Sequence, residues 1–127
     1  YDIHLSYRIT PVNVYGLKSK LIEVIINLLD NAIKYGDHHS TIHVSVTKAD
    51  NCMTFEVSNQ CRDFNENILP NMFEPYYRGS KSTRDEKGSM GIGLYICKQI
   101  IEEHRGTISV QTNNDIVIFR VNLPIWQ

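Results

Sequence analysis

The sequence predicts an α/β two-layer sandwich, in which about five strands form one sheet with the helices packed on one face. Three observations predict it. Short segments alternate apolar and polar residues with a period of two, two longer segments repeat apolar residues at helical spacing, and polar turn residues separate them.

Ile3, Leu5, Tyr7 and Ile9 alternate and make a first strand. The run from Leu17 to Tyr35 is the first helix: Leu21, Val24, Ile25, Leu28 and Ala32 recur at helical spacing. Ile22, Ile26, Leu29 and Ile33 carry its apolar surface well round the cylinder. Two further strands follow, on Ile42, Val44 and Val46 and on Met53, Phe55 and Val57. A short helix is expected around Glu66–Met72. The polar stretch Gly79–Gly88, bracketed by glycine and free of apolar anchors, should be the least ordered. A second long helix is expected over 91–105, where Leu94, Cys97 and Ile101 recur alongside Ile96 and Ile100. Strands at Thr107–Thr112 and Ile116–Leu123 complete the sheet, joined through Asn113 and Asn114 as a hairpin turn.

Composition bounds the class. The 127 residues make one domain, 1–127, large enough to bury a core, with no internal repeat. A net charge of −1 argues against general nucleic-acid binding. No apolar run approaches membrane-spanning length, so no membrane contact is expected of this domain. Cys52, Cys61 and Cys97 are scattered without metal-ligand spacing, as suits a reducing cytoplasm. His38, His39 and His43 follow the first helix and read as a solvated turn, while His104 ends a helix, where a cationic imidazole is favourable.

The chemistry concentrates in two places. Asn27, Asn31 and Lys34 interrupt the apolar first helix at i, i+4 and i+7, which aligns them on one stripe with Tyr35 beside it. Two carboxamide oxygens one turn apart can ligate a hard cation such as magnesium, and a lysine one turn further can meet phosphate. A partly exposed helix face with solvated asparagines is the plainer alternative. Gly88-Ser-Met-Gly91-Ile-Gly93-Leu94 then opens the second helix. Repeated glycine at a helix entrance frees backbone N–H groups to face an anion, and the helix dipole adds to the potential. No Gly-Lys-Ser/Thr is present, so this is not a P-loop, and no strand leads into the glycines as a dinucleotide fingerprint requires.

Together these segments resemble the N box and the G2 box of the ATP-binding catalytic domain of bacterial sensor histidine kinases, the Bergerat or GHKL fold. Phe73-Glu-Pro-Tyr-Tyr-Arg78-Gly resembles that family's F box, and the resemblance covers essentially the whole chain in order. It implies a mixed, largely antiparallel sheet. It also implies that Asn27 and Asn31 bind magnesium and act in catalysis with Lys34, which meets phosphate, while Tyr35 lines the ATP site. Arg78 and the segment after it, with Lys81, would cover the phosphates. Gly91, Ile92, Gly93 and Leu94 would cradle them. ATP and magnesium are the implied cofactors. The implied partners are a dimerisation domain bearing the phosphoacceptor histidine, which this chain lacks, and a downstream response regulator. The domain would be cytoplasmic, in a parent protein that can be anchored in the cell membrane.

One box departs from the pattern. Where the family carries Asp-x-Gly-x-Gly, this chain reads Asn59-Gln60-Cys61-Arg62-Asp63, followed by Phe64 at an apolar position of the site. An asparagine carbonyl still accepts from the adenine amino group but without the strength of a charged acceptor. Cys61 and Asp63 put Cβ atoms where the backbone is expected to run close to the base or to need positive φ. Two rival readings follow. A gyrase-like ATPase would need a glutamate as water-activating base where Asn27 stands, so transfer to histidine is favoured. A non-catalytic relative, regulatory or docking, would explain the altered box but not the intact magnesium and phosphate ligands.

Overall fold

The computed structural model describes residues 4–14, 16–37, 39–74 and 93–125. Five strands alternate with two helices in the order β1 (His4–Ile9), α1 (Lys18–Tyr35), β2 (Thr41–Ala49), β3 (Cys52–Gln60), α2 (Gly93–Glu103), β4 (Thr107–Asn113) and β5 (Ile116–Pro124). A 3₁₀ helix, Glu66–Asn71, lies between β3 and α2 and carries Pro70 inside it. The short helix expected there is thus of the tighter kind, in keeping with a proline, which has no N–H to give to an α-helical ladder.

The strands form a single sheet in the order β1-β2-β3-β5-β4. Among the described residues only β1 and β2 pair in parallel, and the crossover between them is α1. The other three pairings are antiparallel, so the sheet is mixed and largely antiparallel as expected. Asn114 turns the β4–β5 hairpin with a φ of 57°, a left-handed conformation that asparagine tolerates better than most side chains.

Register sorts the side chains onto two faces. Val44 stands opposite Val57, Val57 opposite Phe119, and Phe119 opposite Val110. This face packs against Val24, Leu28 and Ala32 of α1 and Cys97, Ile100 and Ile101 of α2, and the cluster forms the core. The opposite face is polar. Thr54 donates to Asn122 Oδ1 at 2.7 Å, and Arg120 pairs with Glu56 across β3 and β5. A sheet with one dry and one wet face explains the clean alternation in the sequence.

The two helices run antiparallel. Leu17 at the start of α1 donates its N–H to Nε2 of His104 beyond the end of α2 (3.1 Å), the Cys97 thiol faces Val24 O, and the start of α2 at Gly93 lies against Asn27. Among the described residues no helix is long and apolar enough to cross a membrane.

Candidate functional site

The antiparallel helix pair places the polar stripe. Because α2 begins opposite the middle of α1, its N-terminus lies against Asn27, one turn before Asn31 and two before Lys34. A Cβ at Gly93 would stand 3.1 Å from Asn27 Oδ1, so glycine is what lets the two helices approach this closely. Asn27 also donates from Nδ2 to Glu23 O at 3.0 Å, and its side chain is hydrogen-bonded to the Cys97 thiol. Its carboxamide therefore lies between α1 and the start of α2.

Asn31 lies one turn on, half-buried, and makes no side-chain hydrogen bond among the described residues. Lys34 reaches back to Asp30, with Nζ 3.0 Å from Oδ2. Asp30 was not singled out from the sequence, although its i, i+4 spacing to Lys34 was the available signal. Tyr35 ends the helix 42% exposed, on the rim of the site.

The loop that follows β3 meets this helix at its end. Gly36 follows Tyr35, and a Cβ there would stand 2.6 Å from Ala32 O and 3.0 Å from Asn59 Nδ2. Asn59, 4% exposed, occupies the core face of β3 beside Val57 and opposite Val117. Its Nδ2 donates to Gln60 O at 3.3 Å. Beyond β3 the chain makes a β-turn in which Phe64 N–H donates to Cys61 O at 3.3 Å, and Phe64 packs half-buried against the core.

Here the structure differs from the expectation of a strained loop. Neither Cys61 nor Asp63 has positive φ. The turn is built in the ordinary region that any L-residue adopts, so the missing glycines leave no backbone strain. Burial, and then the neighbouring Asp37 carboxylate, push the Cys61 thiol above its usual range. Asp37, also missed in the sequence, accepts from both Arg62 N and Arg62 Nε.

Gly93 and Leu94 open α2 as expected, with Leu94 packed on the core. Arg78, Lys81, Gly91 and Ile92 lie outside the described residues, as do the end of the F box and the lid. No group of three or more His, Cys, Asp or Glu side chains among the described residues could hold a metal by itself.

Known proteins bear on this arrangement. Residues 16–126 match the family of histidine kinase-, DNA gyrase B-, and HSP90-like ATPases. Over 115 residues the chain is 37% identical to the sensor protein KdpD of Clostridium acetobutylicum, covering 89% of this chain and 13% of that protein. It is 35% identical over 124 residues to the heme sensor protein HssS of Staphylococcus haemolyticus, covering 97% of this chain and 26% of that protein. The chain thus spans a minor part of the curated relatives it matches. Among solved structures, a mycobacterial sensor histidine kinase, MprB, superposes with a TM-score of 0.84 at 24% identity, covering 98% of this chain and 83% of that one. The nucleotide-free catalytic domain of the histidine kinase ThkA gives 0.83 at 24% identity, covering 97% and 79%. At that identity the likeness is one of fold.

Proposed function

We propose, because the chain belongs to the family of histidine kinase-, DNA gyrase B-, and HSP90-like ATPases, that it is the ATP-binding catalytic domain of a two-component sensor histidine kinase. It would bind ATP and pass the γ-phosphoryl group to a histidine on a separate dimerisation domain. A bond forms between that histidine nitrogen and phosphorus, the bond from phosphorus to the bridging oxygen breaks, and ADP leaves. From the phosphohistidine a response regulator would take the group onward. The domain would work in the cytoplasm, in a parent protein that can be membrane-anchored.

One observation supports this reading: Gly93, at the N-terminus of α2, lies against Asn27 of α1, one turn before Asn31 and two before Lys34. Backbone N–H groups and the positive end of the α2 dipole favour an anion there. Lys34 would exchange Asp30 for a phosphate oxygen. Asn31 would hold the magnesium ion, whose charge offsets that of the phosphates. Asn27 would fix the spacing of the two helices, and Arg78 and Lys81 would add positive charge over the phosphates. At the base, Asn59 gives its Nδ2 to Gln60 O, which leaves its carbonyl oxygen to accept from the adenine amino group. Tyr35 and Phe64 would flank the ring.

Transfer is favoured over hydrolysis. A water-activating base would stand at Asn27, whose carboxamide cannot take a proton. Glu23, one turn earlier, sits near Cys97, where its charge helps raise that thiol.

Calorimetric titration with a non-hydrolysable ATP analogue, with and without magnesium, tests the reading. Magnesium-dependent binding is expected, and Asn31→Ala should abolish the magnesium-dependent part while the fold persists. A parent domain that does not bind the analogue refutes it.

A further inference from the structure

We propose that Asp37 is the positioning residue for the base-side loop, holding the glycine-free turn Cys61–Phe64 in the shape that reads adenine. This deepens the ATP-binding reading and rests on it.

The carboxylate of Asp37 grips the turn at its first central residue. Oδ2 lies 3.2 Å from Arg62 N and 3.0 Å from Arg62 Nε, and Oδ1 lies 3.4 Å from Arg62 N. One side chain thus fixes both the backbone and the side chain of Arg62. The main chain of Asp37 is held as firmly, because its N–H donates to Gln60 O at 2.7 Å and its carbonyl accepts from Ser40 Oγ. The brace is therefore anchored to β3 and to the start of β2. Cys61 N–H also donates to Asp115 O at 2.8 Å, so the β4–β5 hairpin holds the residue at which the turn begins.

The position of Asp37 gives the brace its consequence. It stands two residues beyond Tyr35, and the residue between them, Gly36, abuts Asn59. Arg62 stands three residues beyond Asn59. The Asp37–Arg62 pair therefore closes a ring through Gly36, Asn59, Gln60 and Cys61, with Tyr35 beside it, and so ties together Asn59 and Tyr35, two of the groups assigned to the base. A turn made with glycine can take its shape from backbone conformations that only glycine enters freely. This turn has ordinary φ values, which many loop shapes share, so something outside it must select one. The Asp37 carboxylate is 20% exposed and the Arg62 side chain 67%, which makes the acid the fixed member of the pair.

The test compares ligands that read different ends of the site. The 127-residue chain and its Asp37→Ala, Asp37→Glu and Arg62→Ala variants are titrated, with magnesium, against non-hydrolysable ATP and GTP analogues and against inorganic tripolyphosphate. In Asp37→Ala, affinity for the ATP analogue should fall about tenfold and its preference over the GTP analogue should shrink, the order expected when a charge-assisted hydrogen bond is lost. Tripolyphosphate affinity should stay unchanged. Asp37→Glu should restore part of the preference. Arg62→Ala, at an exposed side chain, should reproduce the loss and covers the case in which Asp37→Ala does not fold. Unchanged ATP affinity and base preference in a folded Asp37→Ala variant overturns the proposal. A parallel loss of tripolyphosphate affinity also overturns it, since that marks a merely structural role. A parent that binds tripolyphosphate without base preference overturns the positioning role alone, whereas a parent that binds no probe overturns the ATP reading itself.

Discussion

At the scale of single residues, the buried carboxamide and the buried thiol make opposite demands. Asn59 is almost fully enclosed, and its Nδ2 satisfies Gln60 O. Replacing it with aspartate removes that donor and buries a carboxylate beside a carbonyl. Asn59→Asp should therefore destabilise the free domain by roughly 1–3 kcal/mol, read as a lower urea midpoint. It should also bind the ATP analogue more tightly, because a charged acceptor then meets the adenine amino group. A variant as stable as the parent would mean that water reaches the carboxylate. Cys97 behaves differently. Burial, and next the Glu23 carboxylate, raise its thiol from an ordinary 9.0 to about 12, against a hydrogen bond from Asn27 that works downward. The folded state thus keeps a proton that the unfolded chain gives up. Its contribution to stability is complete below pH 9 and is lost as the pH rises towards 12, at about 1.4 kcal/mol per pH unit. Urea midpoints of the parent between pH 8 and 11 should fall more steeply than those of Cys97→Ala. Equal slopes would locate the alkaline transition elsewhere.

At the scale of elements, the two helices share a joint that neither sequence pattern announces. No side chain caps the start of α1. The N–H of Leu17 is instead accepted by His104 Nε2, while Nδ1 of the same ring lies 2.7 Å from Ile100 O. That geometry places the ring proton on Nδ1, which donates to Ile100 O. His104→Ala should cost roughly 1–2 kcal/mol, the value of two hydrogen bonds lost at a half-buried position, measured by denaturant unfolding. The magnesium-dependent affinity should change little, because the site lies at the other end of the pair. By its sequence position alone His104 is a helix-end imidazole favoured by the dipole. Its bond to Leu17 was invisible in the sequence, since the partners stand 87 residues apart. By contrast, the alternation of Phe55, Val57 and Asn59 with Thr54, Glu56 and Ser58 was plain, because a two-faced sheet writes its period directly into the chain.

At the scale of the whole molecule, the sheet is unevenly covered. The helices pack over β3 and β4, whereas β1 is exposed along its length, with Leu5 61%, Tyr7 71% and Ile9 57% exposed. Among the described residues it pairs with β2 alone, as a parallel edge strand. Amides of β1 should therefore exchange with deuterium well before those of β3 and β5, which lie between paired neighbours on both sides. Hydrogen exchange followed by mass spectrometry or NMR checks this. Protection of β1 equal to that of β3 would show that the molecule opens only as one unit.

The layers, the two faces of the sheet, and the stripe of Asn27, Asn31 and Lys34 on one helix are legible in the residues alone. Each of these follows from a local period, which the chain carries whatever its surroundings. The residues also mark Asn59-Gln60-Cys61-Arg62-Asp63 as the altered segment, but not what that alteration does. Tertiary structure decided that β1 pairs in parallel with β2, that α2 starts against Asn27, and that Asp37 takes hold of Arg62. These are contacts between residues distant along the chain, and no local propensity encodes which distant partner a carboxylate or a strand edge will meet. The absence of glycine in that segment predicts a backbone defect only if the turn needs positive φ. The turn in the fold has ordinary φ values and is held by a side chain just beyond the end of the neighbouring helix.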